Sequence, residues 1–405
     1  MTSNNSNMIN SLPRAIRPAA KFVRHQEQAA GLSTSRFVQD VTTCLIPKAV
    51  FSRSKADLAE NCFLEMSEET LIYFVPAILG EKVARKLFSQ GLNDKLKKDV
   101  ATTGVELLKK GNHAKNKELL PVKAAISLAA MAIPLTEFSL NYIKNLMTLK
   151  IFKKSDFKNI ASLEKKGEDK EHQQKVAKSA KKHIGIAASV YAGCLGLATL
   201  LATKGKNSKA LQKISKFVVA PGDGMFKNKT KAKNFFNKYF SMDFNNQNGR
   251  LVLSKGQLTN CVLIGGLGYF GASSDRGKEN LKETATRFPI VATYVITGSE
   301  LVEKGFKKLL YKKGKCKDLI DKNLSVPKFD DLEGIAKKLA KEKGSTFEKE
   351  YLSLVKQKVG IFGVPYLFAI GVMGFFVAGM TTYSTKMRYK NAQKQKTVAD
   401  MIGNK

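Results

Sequence analysis

Residues 359–385 read VGIFGVPYLFAIGVMGFFVAGMTTYST, 27 positions without an Asp, Glu, Lys or Arg. About 20 helical residues cross ~30 Å of hydrocarbon, and a charge at the bilayer centre costs ~2.5–3.5 kcal/mol on insertion scales. The run is therefore long enough, and clean enough, to span a membrane. Lys356 and Lys358 precede it, and Lys386, Arg388 and Lys390 follow it. These cations are expected at lipid headgroups, with Tyr366, Tyr383 and Tyr389 near the two interfaces.

Two more uncharged runs are long enough to span, residues 184–202 and 256–274. Three are shorter. Ala124 to Thr136 reaches spanning length only if Lys123 and Glu137 snorkel from its ends, giving a span near 119–138. Phe288 to Ser299 is expected to partner 256–274, and Leu71 to Gly80 to be interfacial or re-entrant. Small residues recur at helical spacing in the long runs: Ser189 with Gly193, Ala192 with Gly196, Gly268 with Ala272, and Gly374 with Ala378. Lipid gives helices no hydrophobic reason to associate, so such residues mark close contact with one another or with a second copy.

The fold class that follows is mainly α, a multipass helical membrane protein with long basic helical extramembrane segments. Its expected organisation is a basic N-terminal helical region (1–118, with the apolar run near 71–80) and a first membrane hairpin over 119–202. That hairpin has spans near 119–138 and 184–202 joined by a basic loop, 139–183. A lysine-rich loop (203–255) leads to a second hairpin (256–302, spans 256–274 and 288–301). A basic helical region (303–358), the last transmembrane helix (359–385) and a basic tail (386–405) complete the chain. Within 303–358, Leu332, Ile335, Ala336, Leu339 and Ala340 share one helical face, and Ser345-Thr346-Phe347-Glu348 reads as the start of a helix running into the last span.

The whole chain has 405 residues, 69 Lys plus Arg against 34 Asp plus Glu, and a formal charge of +35. Its mean hydropathy is −0.21, so the apolar runs must alternate with strongly polar stretches. The charge follows that division: 203–255 carries +10, 139–183 carries +7, 300–358 carries +6, and 275–287 only +1. Because basic loops stay in the cytoplasm, 203–255 and 300–358 are expected inside and the 275–287 tip outside. Strict alternation would then put the +7 segment and the +5 tail outside, against that rule. Lysine outnumbers arginine about six to one, which favours an AT-rich bacterial genome and the bacterial inner membrane. The alternative is the mitochondrial inner membrane, since Arg14, Arg17, Lys21 and Arg24 precede any acid.

Catalytic signatures are sparse. Gly266, Gly268 and Gly271 spell the Gly-x-Gly-x-x-Gly of a dinucleotide-binding turn and are the cofactor-binding candidates. They lie inside an uncharged run, however, and the next acid after the second apolar run, Glu300, is 29 residues past the last glycine rather than about 20. Tyr311 and Lys315 have Tyr-x-x-x-Lys spacing, unremarkable in so lysine-rich a chain. Five scattered cysteines and four dispersed histidines give no zinc or disulfide pattern. No catalytic residue, metal site or cofactor is expected. The sequence favours a non-catalytic structural or scaffolding protein whose lysine-rich segments contact anionic headgroups. A transporter or channel component is the alternative, and it requires polar side chains converging inside the bundle. A nucleotide-dependent membrane enzyme using the glycine turn is third. The expected partners are membrane lipids and a second copy through the small-residue faces, with nucleic acid bound only nonspecifically.

Overall fold

The computed structural model describes residues 8–403 apart from 29–30, 81–118, 165–166, 227, 229, 244 and 248–249. The expectations placed on 81–118 lie outside those residues. The chain is mainly helical, with one short hairpin pairing β1 (Asn245–Gln247) with β2 (Arg250–Val252). Among the described residues, three helices are long and apolar enough to cross a membrane: Leu119–Phe152, Lys170–Lys204 and Phe347–Ala399.

The helices run in order as α1 (Arg17–Glu27), α2 (Leu32–Asp40), α3 (Ile46–Val50) and α4 (Lys55–Val75). Then come α5 (Leu119–Ala129), α6 (Ala132–Phe152), the single turn α7 (Phe157–Ile160) and α8 (Lys170–Lys204). The stretch expected as a lysine-rich loop is instead folded into α9 (Lys209–Val219), α10 (Pro221–Met225), α11 (Thr230–Tyr239) and the β hairpin. It folds because α9 is amphipathic: Ser215 and Val219 are buried, and Val219 joins a core with Ala124, Ala125 and Leu201. The central helix α12 (Lys255–Asp275) is followed by α13 (Lys278–Thr293), α14 (Ser299–Lys312), α15 (Leu332–Lys343), α16 (Phe347–Phe368) and α17 (Val377–Gly403). The 139–183 loop is likewise helical over most of its length, in the second half of α6 and the first turns of α8.

Seven helical segments among the described residues run alternately between two ends. They are 32–51, 55–80, 119–152, 170–204, 255–275, 278–312 and 347–403. At one end Lys123 meets Asp243, Lys255 meets Glu300, and Glu27 meets Lys358. At the other, Arg276 meets Glu60, Ser179 meets Asp275, and Tyr389 meets Glu164.

Two features of the packing bear on the second expected hairpin. The run 256–274 is not among the three long apolar helices, because Gln257, Thr259 and Asn260 dilute its hydropathy; its helix α12 packs on α6 and α13 and leaves Leu263 and Leu267 exposed. The 275–287 tip is not an open connection. Only Arg276 and Gly277 separate α12 from α13, and Arg276 is 1% exposed. Its guanidinium donates two 2.7 Å bonds to Glu60, which also accepts from Thr148.

Close approach explains the glycines of α12. A Cβ on Gly268 would lie 2.5 Å from the Phe138 carbonyl oxygen, and one on Gly266 would enter the Phe288 ring. The helices can touch there only because these positions lack side chains.

A separate core forms at the Lys358 end. Ala20 and Val23 of α1 pack with Leu319, Ile320, Phe329, Leu332, Ala336 and Leu354. Arg24 bonds Asp330 at 2.7 Å, and Phe329 N–H donates to Glu27 at 2.5 Å. The basic N-terminal helix is thereby clamped to the base of the last long helix. Helix α16 starts where the sequence placed it: the Thr346 hydroxyl caps Lys349 N–H, and the helix runs unbroken through Tyr351 and Val355 into the apolar run.

Candidate functional site

The polar interior is built by segments that the sequence ranked below the long spans. In α4, Glu65, Glu68 and Glu69 stand at i, i+3 and i+4, so one helical face carries all three carboxyls. That face turns toward α6 and α12 rather than outward. Glu65 is 5% exposed, Glu69 4% and Glu137 of α6 7%. Gly265 of α12 makes room for Glu137, whose carboxyl carbon lies 3.1 Å from where a Cβ would be.

These groups line a chamber of about 190 Å³ together with Asp40, Lys48 and Arg287. Lys48 pairs with Glu65, and the Tyr73 hydroxyl donates to Asp40. The Cys261 thiol donates to Glu137. Both Glu69 oxygens and the Glu137 Oε2 are buried without a hydrogen-bond partner among the described residues. The remaining wall is apolar or aromatic, including Ile72, Val262, Tyr269, Phe288 and Val291.

The chamber is the middle of a series. Asp40 also lines a larger vestibule of about 730 Å³ bounded by Glu27, Arg36, Glu303, Lys307 and Lys358. Lys48, Tyr269 and Arg287 also line a narrow cleft of about 40 Å³ that reaches Thr382. Lys358 and Thr382 are 24 residues apart on the last long helix, ~36 Å at 1.5 Å per residue, so the two outer cavities border that helix near points this far apart, while the chamber between them is lined by other segments. At the narrow end, Arg53 holds Glu283 through bonds of 2.8 and 3.0 Å and Asp57 through one of 3.0 Å, with its guanidinium 5.0 Å from the Phe157 ring centre. Together with Arg276 and Glu60, these pairs line the narrow cleft at this end.

Wide helical turns border the vestibule and chamber. π-helical stretches occur at Val41–Leu45, Tyr294–Gly298 and Ala369–Phe376, and each lies near a proline: Pro47, Pro289 and Pro365. Proline has no N–H and its ring crowds the preceding turn, which accounts for the wide turns of Val41–Leu45 just before Pro47; the other two stretches begin five residues after Pro289 and four after Pro365. Thr43, Cys44, Tyr294, Val295 and Ala369 face the cavities from these stretches.

The residues singled out from sequence fall in several places. Gly266, Gly268 and Gly271 sit in the middle of a continuous helix, not at a turn between strand and helix. Gly268 and Ala272 lie against α6, and Gly374 meets Thr43 and Pro47 while Ala378 is 1% exposed. Ser189, Ala192, Gly193 and Gly196 face outward on α8, with nothing within 4 Å of a Cβ built on either glycine. Lys356, Lys386 and Lys390 are exposed and Arg388 is half-buried. Lys358 departs from the headgroup expectation. It is 4% exposed and forms a 2.6 Å ion pair with Glu27. Lys123 does not snorkel either, because it donates a 2.8 Å hydrogen bond to Asp243 in a fully buried ion pair.

A charge-free run marks a span and carries no sign of a carboxyl cluster beside it. The cluster's visible signal is the spacing of Glu65, Glu68 and Glu69 directly before an apolar run. No family model, curated protein or solved structure matches the chain.

Proposed function

We propose that the protein is a multipass integral membrane protein of the transporter or channel class, with the carboxyl-lined chamber as its translocation site. The observation that carries this reading is the series of three cavities that share lining residues, Asp40 between vestibule and chamber and Lys48, Tyr269 and Arg287 between chamber and cleft. Ionisable side chains at membrane depth are expensive, and where they occur they face a bundle interior and mark a solute or ion path. The arrangement is open at the Lys358 end and shut by ion pairs at the Thr382 end, as one state of an alternating-access cycle would be.

The outer surface supports the membrane part of the reading. Only 17% of the apolar window of Lys170–Lys204 and 22% of that of Phe347–Ala399 is buried, and Ile186, Val190, Leu367 and Phe376 are exposed on them. In water such contiguous apolar surface would be a liability; in lipid it is ordinary. Charge favours the Lys358 end as cytoplasmic, since it carries the +10 and +6 segments. The proposed compartment is the bacterial inner membrane.

The second reading is a scaffold at an anionic membrane surface. It is favoured by the exposed cations flanking the spans, Lys356, Lys386 and Lys390 among them. Two measurements test the proposal. Alkaline carbonate should leave the chain in the membrane fraction, and extraction would refute integral insertion. Reconstituted protein should carry organic or inorganic cations into liposomes faster than protein-free vesicles admit them; flux equal to the protein-free rate for every cation tried would leave the scaffold reading in its place.

A further inference from the structure

We infer that the central chamber binds a small organic ammonium ion, with Glu69 as its principal counter-charge. This rests on the transport reading only for its biological meaning; the binding site is argued from its own geometry. Five carboxyl groups face the chamber, from Asp40, Glu65, Glu68, Glu69 and Glu137, against two basic side chains, Lys48 and Arg287. Lys48 is already committed to Glu65. The sign of the missing charge is therefore positive.

Glu69 makes the need specific. It is 4% exposed, lines the cavity, and has both oxygens buried with no hydrogen-bond partner among the described residues. A buried carboxyl without partners is costly in any apolar surrounding, and a ligand that donates to it removes the cost.

The kind of cation follows from the rest of the wall. A bare metal ion requires several oxygens converging within ~2.0–2.6 Å. Among the described residues no group of three or more His, Cys, Asp or Glu side chains is placed to hold one. The rest of the chamber wall includes Tyr269, Phe288, Ile72, Val262 and Val291. Aromatic faces attract ammonium groups, and aliphatic walls favour the hydrocarbon attached to them. A cavity of about 190 Å³ fits a compact substituted ammonium better than a single ion. The vestibule supplies its route in, and Asp40 stands at the boundary between the two spaces.

The test uses the full chain purified in detergent and tetraethylammonium as the probe. Saturable binding is expected, weakened about tenfold or more by Glu69→Gln, with rubidium chloride failing to displace the probe. Val291→Phe fills the chamber without changing its charge and should also abolish binding, so the inference does not depend on one variant folding. Each variant is checked for an unchanged elution volume. Wild-type affinity in both variants would overturn the site, and equal displacement by rubidium would overturn the organic selectivity. Glu69-dependent binding without flux in liposomes would refute the transport reading and leave the site standing; flux of other cations with no tetraethylammonium binding would do the reverse.

Discussion

At the scale of single residues, two side-chain environments carry clear consequences. Gly268 lets α12 touch the backbone of α6, and backbone cannot turn aside as a side chain can. Gly268→Leu should therefore destabilise the protein in detergent by the ~1–3 kcal/mol typical of overpacking or more, read as a lowered thermal midpoint; an unchanged midpoint would show that the helices are not this close. Glu168 lies in the link between α6 and α8. Its carboxyl accepts bonds from Asn159 Nδ2 (2.9 Å), Ser155 N–H (2.9 Å) and Ser155 Oγ (2.8 Å), and these hold it below the ordinary carboxylate range even though burial acts the other way. A depressed folded-state value means stability that is present above the unfolded value and lost as pH falls through the folded one. Glu168→Gln should thus be less stable than the wild type at neutral pH and converge with it in acid. A difference that stays constant from pH 7 to pH 3 would contradict this.

At the scale of elements, the start of α12 is set by a reciprocal cap in which Ser254 Oγ accepts from Gln257 N–H while the Gln257 side chain accepts from Ser254 N–H. Ser254→Ala should cost about 1 kcal/mol in a denaturant or thermal series, and no loss would mean that tertiary packing alone fixes this helix end. Elements of this kind were legible in the sequence. The run 359–385, its continuation from the Thr346 cap and the buried face of Leu332, Ala336 and Leu339 all follow from periodicity and cap chemistry. What periodicity does not encode is where a proline-bearing helix opens into a π-helical stretch, because that depends on what packs beside it. Ala369–Phe376 lies against Val41–Leu45, and neither stretch has a pattern different from an ordinary apolar helix. The Glu65, Glu68 and Glu69 face was visible as a spacing, yet its direction was not. On a soluble helix the same spacing would face water; only the tertiary contacts of α4 with α6 turn it inward.

At the scale of the whole molecule, the seven alternating segments among the described residues put Arg17–Glu27 and the far end of Val377–Gly403 at opposite ends of the bundle, which bears on the charge count. The Lys358 end holds the +10 and +6 segments, whereas the other holds the +5 tail and the link within the +7 segment, joined through the 2.9 Å bond from Tyr389 to Glu164. The excess is small enough that charge alone is a modest guide to orientation, and the native cysteines offer a sharper one. Cys316 lies in the peripheral core at the Lys358 end, while Cys44 lines the chamber. With Cys62, Cys194 and Cys261 replaced by alanine and Lys390→Cys added in the exposed tail, a membrane-impermeant maleimide should reach positions 316 and 390 from opposite sides of sealed vesicles. A small charged thiosulfonate should reach Cys44 only from the side that labels Cys316, because the vestibule opens there and the Arg53, Glu283, Arg276 and Glu60 pairs shut the other end. Replacing Arg53 and Glu283 together by glutamine removes one of those closures without leaving a lone buried charge from the pair. Cys44 should then become reachable from both sides. Labelling of 316 and 390 from one side would refute the proposal that the two ends of the bundle face opposite sides of the membrane, and a Cys44 that never reacts from either side would show that the cavities do not form a continuous path.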